Sequence, residues 1–316
     1  MESNQVPEIF NNQNSEVSNM DMNEVFLDDM GTIKPQCGCN KELSSKNMEG
    51  DGNCSCGGGS TPLTYVFAIG KIEFRYPSIS VANWIRQEVK SQSANTSGKT
   101  DDEVLYEVLK ENPYLIRELC WVFTIAGVDT YLILPRNPAE YDLLLDAILP
   151  KPIEKVNIPD INVVIGVKGP LAPPEMCNGL ILPIVGVDQI FSFDIDSFFK
   201  QLSTKDTINS DHSVFYRISQ ITDNTGSLDE HRALNFLSVR YKPLYSKVAE
   251  MYGENYSFTG VEVRPSRLSV GRKLVDVILT FSNRQSEFKE KWFVRVDVTQ
   301  KFPFVHSDLA QYFEII

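Results

Sequence analysis

The sequence predicts an α+β fold: a mixed or antiparallel sheet with packed helices, then a smaller C-terminal unit of a helix pair on a three-stranded antiparallel sheet. Three observations lead there. Strand-like apolar runs come in neighbouring pairs, as at 121–125 and 130–134 across Ala126-Gly127-Val128-Asp129, the arrangement of a hairpin. Between the pairs lie segments with an apolar residue every four positions, such as Val81, Ile85 and Val89, the repeat of one helix face. The resulting order, β, β, α, α, β, β, α, β, β, α, mixes hairpins with helices and lacks the regular alternation of a doubly wound parallel sheet.

Residues 1–61 read as an acidic, Cys-containing tail and linker. They are Asn-rich and end in Gly57, Gly58 and Gly59, with too few large apolar residues to offset the entropy of ordering a backbone. The first folded unit, 62–202, opens with a strand at 65–69. A second run at 72–76 follows Gly70, with Ile72, Phe74 and Tyr76 alternating as a half-buried partner would. Ser78 or Ser80 caps a helix that carries Trp84 on its apolar side, and Asp101 caps a second one presenting Val104, Leu105, Val108 and Leu109. Asn112-Pro113 ends that helix, because the residue before a proline is pushed out of the helical region. A helix at 138–149 offers Leu143, Leu144, Ala147 and Ile148 as its core face, and 196–202 reads as helical.

Between those helices, Val163, Val164, Ile165 and Val167 form one buried strand and 180–187 another. Gly169, Pro170, Pro173, Pro174 and Gly179 restrict the connection between them. The polar stretch 203–213 is the candidate internal boundary. The C-terminal unit, 203–316, has helices at 228–241 and 243–252, the second started by Pro243. Strands at 256–263, 273–281 and 292–298 close the chain, and the middle one is so uniformly apolar that both its faces are expected to be covered.

Composition excludes several classes of function. The 316 residues are 42% hydrophobic, enough for a core without staples. Of the formal net charge of -12, the first sixty residues supply ten carboxylates against three lysines. Such a chain, with no basic stripe, does not suit a phosphate backbone, so no nucleic-acid partner is expected. The N-terminus has neither the charged nor the apolar region of a secretory signal, and no eighteen apolar residues run together. The expectation is a cytoplasmic protein with no membrane partner. In that compartment six cysteines read as reduced thiols or metal ligands rather than a disulfide framework.

Familiar catalytic signatures are missing, including the phosphate loop, the zinc-protease helix motif, the nucleophile elbow and the dinucleotide fingerprint. His212 falls in the polar linker, His231 at a helix start after Asp229 and Glu230, and His306 at an expected surface or edge position. No catalytic residue is assigned. The rigid 169–179 loop is the candidate binding platform, with Lys168, Glu175, Cys177 and Asn178 as its reactive or polar side chains. Cys177 reads as a structural thiol or as a nucleophile lacking an identifiable base. Glu175 and Asp188 read either as a carboxylate pair or as ties to loop backbone. Arg264, Arg267 and Arg272 suit a partner's carboxylates or internal pairing with Glu262 and Asp276. Cys37, Cys39, Cys54 and Cys56 form two Cys-x-Cys pairs that read as a zinc site, a redox pair or uncommitted thiols. Zinc at those four thiols is the one cofactor the sequence brings into view.

Several blocks resemble the C-terminal domain of unknown function of cyanobactin maturation proteases of the PatG and PatA type. They are YVFAIGKIEFRYPSISVANW from Tyr65, NPYLIRELCWVFTIAGVDTYLILPR from Asn112, VVIGVKGPLAPPEMCNGLILPIVGVDQIFSFD from Val163, DNTGSLDEHRALNFLSVRY from Asp223, GVEVRPSRLSVGRKLVDVI from Gly260 and WFVRVDVTQKFPF from Trp292. In that family the domain is appended to a subtilisin-like protease that cuts, and in the PatG type macrocyclises, a ribosomally made precursor. The Ser/His/Asp blocks of that protease do not occur in this sequence, so cleavage and cyclisation are not carried over. The resemblance implies an accessory role in peptide maturation: recognition or docking of the precursor peptide or of the subtilisin-like enzyme, using the rigid loop and an adjacent sheet edge. The alternatives are a peptide-modifying enzyme acting through Cys177, Glu175 or His231, and a zinc-stabilised scaffold or homodimer.

Overall fold

The apolar stretch after Leu63 forms one long strand, β1 (Thr64–Arg75), rather than two. Gly70 is no turn: a methyl group there would run into the carbonyl of Thr124 on the neighbouring strand. The backbone passes straight through and changes partner, pairing with one strand up to Gly70 and with another from Lys71 onward. At the hand-over the buried Asn162 side chain accepts a hydrogen bond from the Ile72 amide at 2.7 Å and donates to Ser192 Oγ at 2.9 Å, satisfying backbone that no ladder reaches. These features come from a computed structural model that describes residues 63–93, 98–149, 160–195, 198–199, 214–218 and 223–313. All of them lie within one unit, Ser60–Ile316. The boundary expected at 203–213 lies outside the described residues, as does most of the helix expected at 196–202.

Three helices follow β1: α1 (Ile79–Ser93), α2 (Asp101–Glu111) and α3 (Pro113–Glu118). Ser78 Oγ accepts from the Val81 amide at the start of α1. Thr100, one residue before the Asp101 expected from sequence, caps α2, and Glu103 reaches back to the Thr100 amide. This reciprocal pair satisfies two otherwise orphaned donors. Asn112-Pro113 does end α2, and the same proline opens α3. The hairpin β2 (Cys120–Ile125) and β3 (Val128–Pro135) turns at Ala126 and Gly127, both with positive φ. Helix α4 (Glu140–Ala147) buries Leu144 and Leu145, while Leu143, expected in the core, is 41% exposed.

β4 (Asp160–Leu171) and β5 (Pro183–Asp194) pair antiparallel, and β5 also runs parallel to β3. The five strands close on themselves in the order β1-β2-β3-β5-β4. Curvature on this scale needs residues without side chains where strands cross closely. At a register shift of the β4–β5 pair a methyl on Gly166 would collide with the Gly186 carbonyl.

The C-terminal part has α5 (Asp229–Arg240) and α6 (Lys242–Gly253), with a proline in the first turn of α6. They precede an antiparallel sheet of four strands: β6 (Tyr256–Pro265), β7 (Leu274–Asn283), β8 (Lys289–Asp297) and β9 (Phe304–Gln311). The fourth strand is a correction to the three expected. Val277, Ile278, Leu279 and Phe281 of the central β7 are buried, as a strand covered on both faces requires.

Alternate residues of β1 and β4 serve two different cores, as the two-residue period of a strand dictates. Val66, Ala68 and Val164 pack with α1 to α4 and the other barrel strands. Phe67, Ile69, Ile161, Val163 and Ile165 pack with α5, α6, β7 and β8. Arg232 on α5 ties this second core together. Its side chain is 2% exposed, pairs with Asp229, donates to the Val298 carbonyl at 2.8 Å and to that of Gln300, and lies 5.2 Å from the Tyr65 ring centroid. The segment before α5 seals the part of β1 that β2 does not reach. Gly226 accepts from the Phe67 amide at 2.9 Å, and Asn235 donates to the Phe67 carbonyl.

Candidate functional site

The proline- and glycine-rich connection between β4 and β5 folds as expected into a fixed shape. Pro173 enters at φ -67°, Pro174–Cys177 make one turn of 3-10 helix, and Asn178 and Gly179 reverse the chain at φ 47° and 86°. Left-handed backbone of this kind suits Asn and Gly. Its amides are satisfied inside the turn: Met176 to Pro173, Gly179 to Pro174, Leu180 to Cys177, and Ala172 to Leu182. The turn is tied to β2 by a disulfide between Cys177 and Cys120, whose Cα atoms are 5.9 Å apart. This corrects the expectation of a reduced thiol at 177; the partner is 57 residues away in sequence, a separation that marks nothing locally.

On the outer side of that bond lies a groove of about 410 Å3, lined by the end of β1, the start of α1, Asp129 of the β2–β3 hairpin, and Cys177, Asn178 and Leu180. Arg75, opposite Cys120 in the β1–β2 register, is neutralised by Glu73 at 2.9 Å and Asp129 at 3.1 Å. Arg86, one α1 turn inside, has no carboxylate partner among the described residues; it donates to Asn83 at 3.4 Å and stands 5.8 Å from the Tyr76 ring centroid. Burial pushes the Tyr76 hydroxyl above its ordinary range, partly offset by Arg86, so the phenol stays protonated. Ile79 is 75% exposed on the rim, and Ala82 and Cys177 are buried beneath. The arrangement offers an apolar floor, a neutral phenol, a side-chain amide and one cation open to a carboxylate. A second groove, of about 590 Å3 beside α2, is walled by Lys99, Glu103, Glu107, Lys110 and Glu111. Lys99 and Glu107 neutralise each other there.

Of the four loop residues expected to bind, Cys177 and Asn178 line the groove. Lys168 is half-buried within β4, opposite Thr64 and Val185, and Glu175 is exposed on the 3-10 turn. Glu175 and Asp188 are not a carboxylate pair: Asp188 on β5 is held by Arg136 at 3.3 Å and Lys301 at 3.0 Å. The sheet edge expected beside the loop is also absent, because the barrel is closed and closure removes edges. Arg75, Tyr76, Arg86 and Asp129 escaped sequence reasoning. Their only signal was the Arg75-Tyr76-Pro77-Ser78 junction between a strand and a helix.

The three C-terminal arginines flank the β6–β7 connection. Arg264 pairs with Glu262 at 3.7 Å and contacts Tyr312, while Arg272 pairs with the buried Asp297 at 3.2 Å. Asp276 is instead bound by Arg295. Arg267 makes no ion pair among the described residues and stands beside Leu268 and Val270, 61% and 90% exposed. His306 is exposed on the edge strand β9. His231, in the first turn of α5, is held below the usual histidine range, chiefly by burial, against the pull of Glu230 and Asp223. It does not line the groove that holds Cys177. Among the described residues no group of three or more His, Cys, Asp or Glu is placed to hold a metal ion, and no helix is long and apolar enough to cross a membrane. Cys37, Cys39, Cys54, Cys56 and His212 lie outside the described residues.

The architecture is that of a known domain type. A solved structure titled PatG Domain of Unknown Function aligns with 79% of this chain and 98% of its own length, at a TM-score of 0.64 and 17% sequence identity. The family model described as PatG C-terminal matches residues 201–312, so the resemblance read from the sequence is shown. No curated protein matches the chain by sequence.

Proposed function

We propose that this chain is a recognition module in the maturation of a ribosomally made, cyanobactin-like peptide, and that the groove beside the 172–180 turn holds the precursor. The observation that carries this reading is Arg86: an exposed cation without a carboxylate partner among the described residues, above an apolar floor, next to a turn whose backbone is already fixed. A site that needs no ordering on binding loses less affinity to entropy. The occupant that matches is an extended peptide with an acidic residue for Arg86 and an apolar one against Ile79 and Leu180. Binding there works through side chains; added-strand pairing is not required. Arg267, Leu268 and Val270 at the β6–β7 connection suit the acidic surface of a separate subtilisin-like enzyme, with Arg264 and Arg272 as flanking charges.

The test is calorimetry against precursor peptides encoded beside this gene. The wild-type chain is expected to bind, and Arg86→Glu to weaken binding by at least tenfold, about 1.4 kcal/mol. Uniform absence of binding, or an unchanged dissociation constant in Arg86→Glu, would sink the proposal.

A further inference from the structure

We propose that the Cys120–Cys177 bond is a redox-controlled clasp: closed, it holds the 172–182 turn against β2 and shapes the groove; reduced, it lets the turn go. Three observations converge. Every hydrogen bond given by the amides of 172, 176, 179 and 180 is accepted within the turn, so none of them anchors it to β2. The disulfide is its tie there. The bond also borders the groove: Cys177 lines it, and Cys120 is the register partner of Arg75, another lining residue. Finally, the Cys120 sulfur lies 3.5 Å from the Met176 carbonyl, an acceptor ready for a thiol S–H. Once the covalent tie is cut, a single weak S–H bond of this kind is what Cys120 has to offer the turn, a poor substitute for the disulfide.

The chemistry needs a dithiol reductant and no metal. One reductant thiolate attacks Cys177 Sγ from the groove, forming a mixed disulfide and releasing the Cys120 thiolate. The second thiolate of the reductant then attacks the mixed disulfide, so Cys177 leaves as a thiolate and the reductant departs as its own disulfide. Two electrons reach the protein pair, two protons complete the thiols, and a glutathione-type disulfide reverses the sequence. In a reducing cytoplasm, the compartment the sequence suggests, disulfides serve transient or sensing roles more often than permanent ones.

The clasp rests on loop geometry, and only its effect on ligand rests on the groove reading. The 316-residue chain is compared after treatment with oxidised glutathione and after a dithiol, with peptide-resolved alkylation to assign the state of Cys120 and Cys177. Hydrogen exchange is then read across 172–182 and across β6 to β9. The expected result is at least tenfold faster exchange in the reduced turn beyond any change in the C-terminal sheet, and Cys120→Ser matching the reduced protein without any reductant. If that variant does not fold, the wild-type pair of states decides. Reduced, alkylated cysteines with unchanged exchange would overturn the clasp, and so would failure of the oxidised protein to protect both thiols. If exchange rises tenfold while affinity for a precursor peptide stays the same, the clasp stands and the groove is not the peptide's site.

Discussion

Single positions carry much of this architecture. Gly226 has φ 72°, and a methyl there would strike the Phe67 carbonyl and Ala68. Gly226→Ala therefore combines left-handed strain with displacement of a segment that pairs with β1, and a loss of about 2 kcal/mol or more is expected. Urea unfolding would read it, and a change below about 0.5 kcal/mol would mean the segment is not held against β1. His231 predicts a pH dependence. Its folded value lies below the ordinary 6.5, mainly through burial, so between the two values the unfolded chain binds more protons. Its contribution is complete above pH 6.5 and is lost as pH falls toward the folded value. Thermal scans between pH 7 and pH 5 should show a smaller acid loss in His231→Gln than in the wild type. Glu140 acts in the opposite sense, since burial raises its carboxyl above 4.5, and its contribution is lost as pH rises through that raised value.

At the scale of elements, local chemistry is the part most legible in sequence. The helix stop at Asn112-Pro113, the start of α6 at Lys242-Pro243 and the rigidity of the 169–179 turn are all written in residues that fix backbone angles. β9 was not legible: only Val305, Ser307 and Leu309 turn partly inward, while Phe304, His306 and Asp308 face solvent, which leaves a weak pattern typical of an edge. The Asp101 cap missed by one residue because Thr100 and Glu103 form the stronger reciprocal pair. Thr100→Ala should cost about 1 kcal/mol in denaturant midpoint, and a neutral result would show that α2 is held by packing alone. Loss of the disulfide in Cys120→Ser should cost about 2–4 kcal/mol, the range for a bridge across a loop of this length.

For the whole molecule, what sequence could not reveal is what depends on distant pairing. Closure of the barrel hangs on the parallel match of Leu132 to Pro135 with Ile184 to Val187, and no local residue announces it. The groove likewise gathers Arg75, Arg86, Asp129 and Asn178 from four separate elements and turns, of which only the last stood in the stretch expected to bind. The family likeness was legible because it is spread over long blocks. One consequence of the shared core is testable at this scale. A chain ending at residue 202 would leave Phe67, Ile69, Ile161, Val163 and Ile165 without Leu234, Leu237 and Val277 against them. It is expected to bind ANS and to lack a cooperative thermal transition, whereas a sharp transition would show that the barrel folds alone.

β1 also constrains how this gene can change. Its odd and even residues address separate interiors, so deleting or inserting one codon between Val66 and Ile69 would exchange the audiences of every side chain beyond that point and slide Arg75 out of line with Cys120. Length variation among relatives should therefore gather in the connections and spare this strand, and a library of single-codon insertions, scored for soluble expression, would trace β1 as an unbroken intolerant stripe.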